Sequence, residues 1–573
     1  MAAADPTPDW MRREGHGIMA LVICCVLAVA VLPAVRLVAA AVAPGWAWDP
    51  LALANLSRPI ARTAAWNTIE SAVLSALGAL VLGCTFAVTL SVATVRARMA
   101  LAFLFALSLM VSPQVAALAF KSLAGPASPL LNALGLAPPP GSPNPMLGRG
   151  GVIAVLALHH APLVAITLSA GLKTIPRSMI EAASLDGARS WAIVRWVVLP
   201  LLRPHLVAAA LLVFIAGVGN FGIPALLGLP AGYLTLPTLI YRQLSSSGPS
   251  VIADAAALSM LVGGIAGVGV LLLGHLQLQA ADRLESDQAI KPFWLLRGWP
   301  RVSVEAGLWC IVFVACGVPL LSLLAASLVP TYGVALSLQT MTFANYEEVM
   351  CRQSLTVRAF RKSFSYAAIA ALVLAVAAPI IAFGLERYAG RWRRALEAII
   401  EIPYALPGVV IGIASILLFL KPLPLVGISL YGTAAIIIIA YVARFLPLAL
   451  KAPLAAMRTL SRDQEEAAAI NGASARQRLR YVVLPQLVTP AVAGALLVFL
   501  LSFNELTVSA LLWSGGTETL GVVLLSLEEQ GLASAAAAIA VTATATVTII
   551  MLGLHGLRRR LPDGVLPWTD AAT

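Results

Sequence analysis

Charge is what this 573-residue chain has least of: Asp, Glu, Lys and Arg make up 11% of it, while apolar residues make up 60%. Soluble domains carry about a quarter charged residues, and a mean hydropathy of +0.91 leaves more apolar surface than an ordinary water-soluble core can hide. The shortage places the chain in a bilayer. Cysteine is scarce too. The six (Cys24, Cys25, Cys84, Cys310, Cys316 and Cys351) lie mostly within apolar runs and show neither zinc-ligand spacing nor a disulfide framework, so they read as helix-packing residues. No Gly-Lys dipeptide occurs, hence no phosphate-binding loop of the G-x-x-x-x-G-K-[ST] kind, and there is no H-E-x-x-H or nucleophile elbow. The chain therefore lacks a nucleotide site of that type, and nothing in it points to a membrane-embedded hydrolase.

What it has is long apolar runs. Stretches of roughly twenty residues, long enough to cross the hydrocarbon core as helix, fall near 17–43, 67–95, 99–121, 150–172, 205–229 and 251–279. A second set falls near 303–329, 363–385, 395–420, 429–450, 488–513 and 533–557. The fold class is all-α: a polytopic membrane protein with about 12 spans in two six-helix repeats, residues 1–279 and 303–573, joined by a polar linker at 280–302. The first run ends in Ala41-Val42-Ala43, which resembles a cleavage site, but its apolar stretch exceeds the usual core of a signal peptide and is read as a retained span.

The net charge of +12 would suggest nucleic acid for a soluble protein. Here most Lys and Arg residues sort to one side once the spans alternate, with Arg12 and Arg13 at one end, Arg387, Arg391, Arg393 and Arg394 in the middle, and Arg558, Arg559 and Arg560 at the other. By the positive-inside rule that side is the cytoplasm, and both termini belong to it. Nucleic acid is not an expected partner; lipid is.

Two stretches repeat each other at an offset of 285: EAASLDGARSWAIVRWVVLP from Glu181 and EAAAINGASARQRLRYVVLP from Glu466. The likeness continues in LLVFIAGVGNFGIPALLG from Leu211 and LLVFLLSFNELTVSALLW from Leu496, and Pro162 falls opposite Pro447. Upstream, Ser112-Pro113-Gln114-Val115 matches Leu406-Pro407-Gly408-Val409 at an offset of 294, the extra residues being a Pro-rich external connector around Pro138 to Pro145. Six spans is an even number, so the repeats are parallel, related by a pseudo-twofold axis along the membrane normal. Each doubled segment then sits in the cytoplasmic loop after the fourth span.

In each loop Glu-Ala-Ala reads as the start of a short helix, the carboxylate near its positive end and the alanines leaving a low profile. Gly187 or Gly472 lets the chain turn left-handed into a second amphipathic helix ending at Leu199-Pro200 or Leu484-Pro485. Arg189, Arg195 and Arg203, with Arg476, Arg478 and Arg480, are free to lie at headgroups or meet a partner.

This pattern, EAA, then G, then LP, resembles the signature loop of ABC importer permeases, and the resemblance covers both halves, most closely the fused permeases of ferric iron transport. It implies that Glu181, Ala182, Ala183 and Gly187, with Glu466, Ala467, Ala468 and Gly472, dock a separate cytoplasmic ATPase, present in two copies and itself the holder of ATP and Mg; this chain would hold no cofactor and would not be an enzyme. It also implies an external substrate-binding protein and a place in the bacterial inner membrane. Similar permeases move thiamine, aminoalkylphosphonates or polyamines, which stay open as substrates. A secondary transporter also has twelve helices in two parallel halves, but it leaves the doubled loops unexplained.

Polar groups at membrane depth are costly and so are functional candidates. Asn220 and the pair Asn504 and Glu505 lie in the fifth spans, with Asn220 and Glu505 at matching positions, and are read as substrate-pathway residues or as helix-helix hydrogen-bonding groups. Glu70, Glu401 and Arg444 are further candidates for function or for structural ion pairs. Adjacent His159 and His160 point apart on a helix and suit packing better than metal binding. No set of residues identifies a metal site.

Overall fold

The computed structural model describes residues 16–42, 54–246, 251–280, 292–388, 390–422 and 427–556. The basic termini (Arg12, Arg13, Arg558, Arg559 and Arg560) and about half of the expected linker, 281–291, lie outside the described residues. Among those residues every regular element is a helix, apart from a single isolated bridge between Ala93 and Trp294. Among the described residues nine helices are long and apolar enough to cross a membrane, and the number rises to twelve if each of three sharply bent helix pairs counts as one span.

The first repeat contributes α1 (Gly17–Val42), α2 (Pro59–Val92), the bent pair α3 (Arg98–Met110) and α4 (Pro113–Leu123), then α5 (Arg149–Lys173). After the short α6 (Arg177–Leu185) come the pair α7 (Ser190–Leu201) and α8 (Arg203–Val218), the short α9 (Leu236–Leu244) and α10 (Val251–Ala280). The second repeat runs α11 (Trp299–Ser327), α12 (Ser354–Tyr388), the bent pair α13 (Arg393–Ala405) and α14 (Gly408–Phe419), and α15 (Ala434–Thr459). It closes with α16 (Asp463–Ile470), α17 (Ala475–Phe503), α18 (Leu520–Glu529) and α19 (Ala533–Gly556).

The expected single spans at 99–121 and 395–420 are each two helices meeting at 101°. Proline is the cause. Pro113 and Pro407 lack an N–H and push the preceding residue out of helical geometry; Ser112 and Leu406 accordingly have ψ of 149° and 139°. The expected span at 205–229 also differs: its helix ends at Val218, and its upstream partner α7 meets it at 65°. Two helices outside the expected spans, α9 and α18, follow the fifth spans; Thr235 and Thr519 precede them in extended conformation, and Thr238 completes a capping box with Thr235.

The repeats are interlocked. Helix α1 packs on α10, α12 and α14, so the chain's first span lies against the second repeat, while α11 returns the exchange by packing on α2, α3 and α4. Apolar side chains on α1 such as Leu21, Leu27 and Val35 remain about half exposed, as a lipid-facing helix requires.

Candidate functional site

The two knuckles have the expected helix-turn-helix form, but only in the first does the second helix stop near the expected Leu199-Pro200, α7 ending at Leu201; in the second, Leu484-Pro485 does not end it and α17 runs on unbroken to Phe503. Helix α6 ends as Gly187 takes φ of +81°, and α16 ends as Gly472 takes φ of +82°. No neighbouring atom lies within 4 Å of where a Cβ would stand on either glycine, so the backbone angle alone selects it. The Ala188 N–H donates to the carbonyl of Ala183 at 3.0 Å, and the Ala473 N–H donates to that of Ala468 at 3.0 Å. Each bond closes a six-residue helix stop on the third residue of the EAA triplet.

Glu181 and Glu466 are both exposed, but they sit differently. Helix α6 begins at Arg177, directly after Pro176, so Glu181 lies beyond the first turn and pairs with Arg177 at 2.6 Å instead of facing the helix start. In α16 the expectation holds, for Asp463, Glu465 and Glu466 all lie in the first turn. Arg478 is a correction: it is neither at the headgroups nor facing outward but 1% exposed, donating to the Ala473 carbonyl at 3.0 Å and to the Tyr388 hydroxyl at 3.4 Å. Arg189, Arg195, Arg203, Arg476 and Arg480 are exposed. Reading the sequence missed the apolar tips of the knuckles. Leu185 and Ile470, at matching positions just before each turn, are 89% and 84% exposed.

At the centre of the bundle each bend touches the end of the fifth span of the opposite repeat. Gln114, beside Pro113, donates its amide N–H to the Asn504 carbonyl at 2.8 Å. On the other side Pro407 packs on Gly219, the residue that matches Asn504, with 3.4 Å between its Cα and the place of a Cβ. Asn220 and Glu505 follow these two positions. Both are 8% exposed and both cap a turn: Asn220 Oδ1 accepts the Ile223 N–H at 3.1 Å, and Glu505 Oε2 accepts the Val508 N–H at 2.8 Å.

The repeats part company at the other carboxylate oxygen. Arg444 reaches Glu505 Oε1 at 2.7 Å, an ion pair whose first-repeat counterparts are His159 and Asn220. The guanidinium passes through a space left by Gly408, where a Cβ would stand 1.8 Å from Arg444 Nη1. In a low-dielectric setting such a pair is strong, and removing one partner strands the other charge. Glu70 is also paired, accepting two hydrogen bonds from Arg149 at 2.9 and 2.7 Å, with Tyr233 adding a third at 3.3 Å. Glu401 has no ion-pair partner within 4 Å among the described residues. The rings of His159 and His160 lie edge to face, 5.2 Å apart, and the described residues hold no group of three or more His, Cys, Asp or Glu side chains able to bind a metal.

Comparison with known proteins gives the same doubled picture. The family of binding-protein-dependent transport system inner membrane components matches this chain twice, at residues 96–286 and 375–565. A probable ABC transporter permease protein, y4fN of Sinorhizobium fredii, is 27% identical over 81% of each chain. The putative ferric transport system permease protein FbpB 1 of Haemophilus influenzae is 27% identical over 62% of this chain and 55% of its own length. A probable molybdenum ABC transporter permease of Haloferax volcanii is 31% identical over 40% of this chain and 81% of its own. With two matches that together cover well over half its length, each taking in one knuckle and one fifth span, the chain belongs to the binding-protein-dependent ABC permeases of the inner membrane.

Proposed function

We propose that the chain is the two-repeat permease subunit of a ferric iron importer, driven by a separate ATPase that binds in two copies. The observation that carries the reading is the pair of knuckles: two glycine-stopped, alanine-faced projections at equivalent places, each with an exposed glutamate and an exposed apolar tip. In this reading Glu181, Ala182, Ala183 and Gly187 enter a cleft of one ATPase copy, and Glu466, Ala467, Ala468 and Gly472 enter that of the other. ATP and Mg are held by that partner, and both termini of this chain face it in the cytoplasm.

Closure of the two ATPase copies draws the knuckles together. The fourth spans α5 and α15 lead directly into the knuckles, so the movement passes to the central contacts among Gln114, Asn504, Pro407 and Gly219. The bundle then opens outward, takes the ligand from an external binding protein and resets on hydrolysis. Asn220, Asn504 and Glu505 flank the passage at the crossing. The ferric assignment is supported by relatives whose names specify ferric transport. Other relatives are named for molybdenum, 2-aminoethylphosphonate and sulfate.

The test is ATP hydrolysis in proteoliposomes holding this chain with its co-purifying ATPase, with binding proteins added outside, empty or loaded. Stimulation by the ferric-loaded protein alone is the expected result. Stimulation by an oxyanion-loaded or thiamine-loaded protein keeps the importer and replaces the substrate. Transport that persists without any ATPase sinks the reading as a whole.

A further inference from the structure

The repeats share a backbone plan but not the chemistry that ties each knuckle to its bend. On α15, Arg444, Lys451 and Arg458 recur every seventh residue and so fall on one face. Each meets a partner: Arg444 pairs with Glu505 at 2.7 Å, the Lys451 ammonium lies 5.4 Å from the Tyr404 ring centre, and Arg458 pairs with Glu397 at 3.0 Å. Tyr404 and Glu397 are themselves seven apart on α13, which runs antiparallel to α15 and ends at the Pro407 bend. Lys451 and Arg458 thus tie α13 to the fourth span by a cation over an aromatic face and by charge, while Arg444, held by Glu505, fills the space at Gly408 where α14 begins.

The series continues to the knuckle. Arg393 pairs with Glu386 at 2.8 Å, the neighbouring Arg387 pairs with Glu465 of α16 at 2.6 Å, and Arg478 reaches Tyr388. Charged contacts therefore run from the second knuckle to the membrane centre.

The first repeat has the same positions filled otherwise. His159, Ile166 and Lys173 stand where Arg444, Lys451 and Arg458 stand, and Ile180 and Ile193 stand where Glu465 and Arg478 do. Burial is conserved while polarity is not: Ile180 and Ile193 are 4% and 2% exposed, Glu465 and Arg478 7% and 1%. No ion pair among the described residues joins α3 to α5. Apolar contacts of this kind are non-directional and can slide; ion pairs hold a defined geometry, here largely buried at Arg444–Glu505 and Arg387–Glu465 and partly exposed at Arg458–Glu397.

We propose that the two repeats transmit unequally: Arg444, Lys451 and Arg458 are positioning residues that make the Pro407–Gly408 bend follow the second knuckle as one body, whereas the first bend is moved by steric contact alone. This inference rests on the reading that both knuckles dock an ATPase. Neither knuckle is idle in it, but the rigid linkage belongs to the second.

The experiment uses the full complex in proteoliposomes, with spin labels on Ile402 and Tyr481 to report the second repeat, or on Met99 and Trp196 to report the first, and compares ADP with vanadate-trapped ATP. Two variants each carry first-repeat chemistry: Lys451→Ile, an apolar substitution that a membrane helix accommodates, and Arg444→His with Glu505→Asn. The expected result is that the nucleotide-driven distance change of the second repeat falls at least twofold while that of the first is unaltered, with the melting temperature of Lys451→Ile unchanged. Wild-type changes in both repeats of both variants would overturn the proposal. Equal loss in both repeats would overturn it as well, since that marks a general lesion. If the unsubstituted complex shows no nucleotide-dependent change in either repeat, it is the docking reading that fails, and this inference falls with it.

Discussion

Gly408 and Arg444 share one small volume: a Cβ on the glycine would stand 1.8 Å from the arginine Nη1 and 3.0 Å from the Thr507 Cβ. Adding a methyl group must therefore move a guanidinium that is already committed to Glu505. Gly408→Ala is expected to break the Arg444–Glu505 pair and cost on the order of 3 kcal/mol, the scale for stranding one member of a buried pair. Thermal melting of the detergent-solubilised chain measures it. Gly219→Ala, whose Cβ would meet Pro407 at an ordinary 3.4 Å, is expected to melt within a few degrees of the unsubstituted chain. Equal losses in both would show that crowding at the crossing, and not the ion pair, is what matters.

The turns of the knuckles give a prediction of different origin. Since Gly187 and Gly472 have open space around them but φ near +80°, alanine there meets a backbone penalty of about 1–2 kcal/mol and no clash. Asparagine, which tolerates this region better, is expected to retain more function than alanine, and valine least of all. The order glycine, asparagine, alanine, valine in ATPase co-purification is the check; an order that follows side-chain volume instead would point to a steric cause.

How far the sequence spoke for itself differs from element to element. The doubled loops, the spans and the glycine stops were legible because each is local: a period, a length, a φ that one residue type favours. The bends at Pro113 and Pro407 were half legible, for proline marks where a helix breaks but not whether the chain continues across or turns through 101°. Arg478 was misplaced because an arginine on an amphipathic loop is ordinarily solvated, and only the fold brings Tyr388 and a carbonyl to it. The Arg444–Glu505 pair joins residues 61 apart through a gap in a third element. No periodicity encodes such a meeting.

The glutamates of the knuckles are exposed, so their removal tests docking without disturbing the fold. Glu181→Ala also deletes the Arg177 pair, a surface i,i+4 contact worth about 0.3–0.5 kcal/mol. Glu466→Ala deletes no ion pair found among the described residues, leaving stability within about 0.5 kcal/mol. Both single variants are expected to melt normally and to bind the ATPase several-fold more weakly, the double variant more weakly still. Unchanged ATPase binding and unchanged transport in the double variant would remove these side chains from the interface.

Leu185 and Ile470 press the same question from the apolar side. A large hydrophobe that is more than four-fifths exposed at the end of a projecting loop contributes nothing to the core beneath it. Two of them at matching positions describe a surface shaped to be covered, and burying such a side chain against a partner is worth about 1.5–3 kcal/mol. Leu185→Ser and Ile470→Ser are therefore expected to leave melting unchanged or slightly improved while weakening ATPase binding by roughly ten- to a hundredfold each. Headgroup insertion predicts otherwise: if these tips lie against lipid, the serine variants bind the ATPase normally and instead lose quenching of a nearby tryptophan, Trp191 or Trp196, by brominated lipid. Measuring ATPase affinity and lipid quenching on the same two variants decides whether the knuckles end in a protein cleft or at the membrane surface.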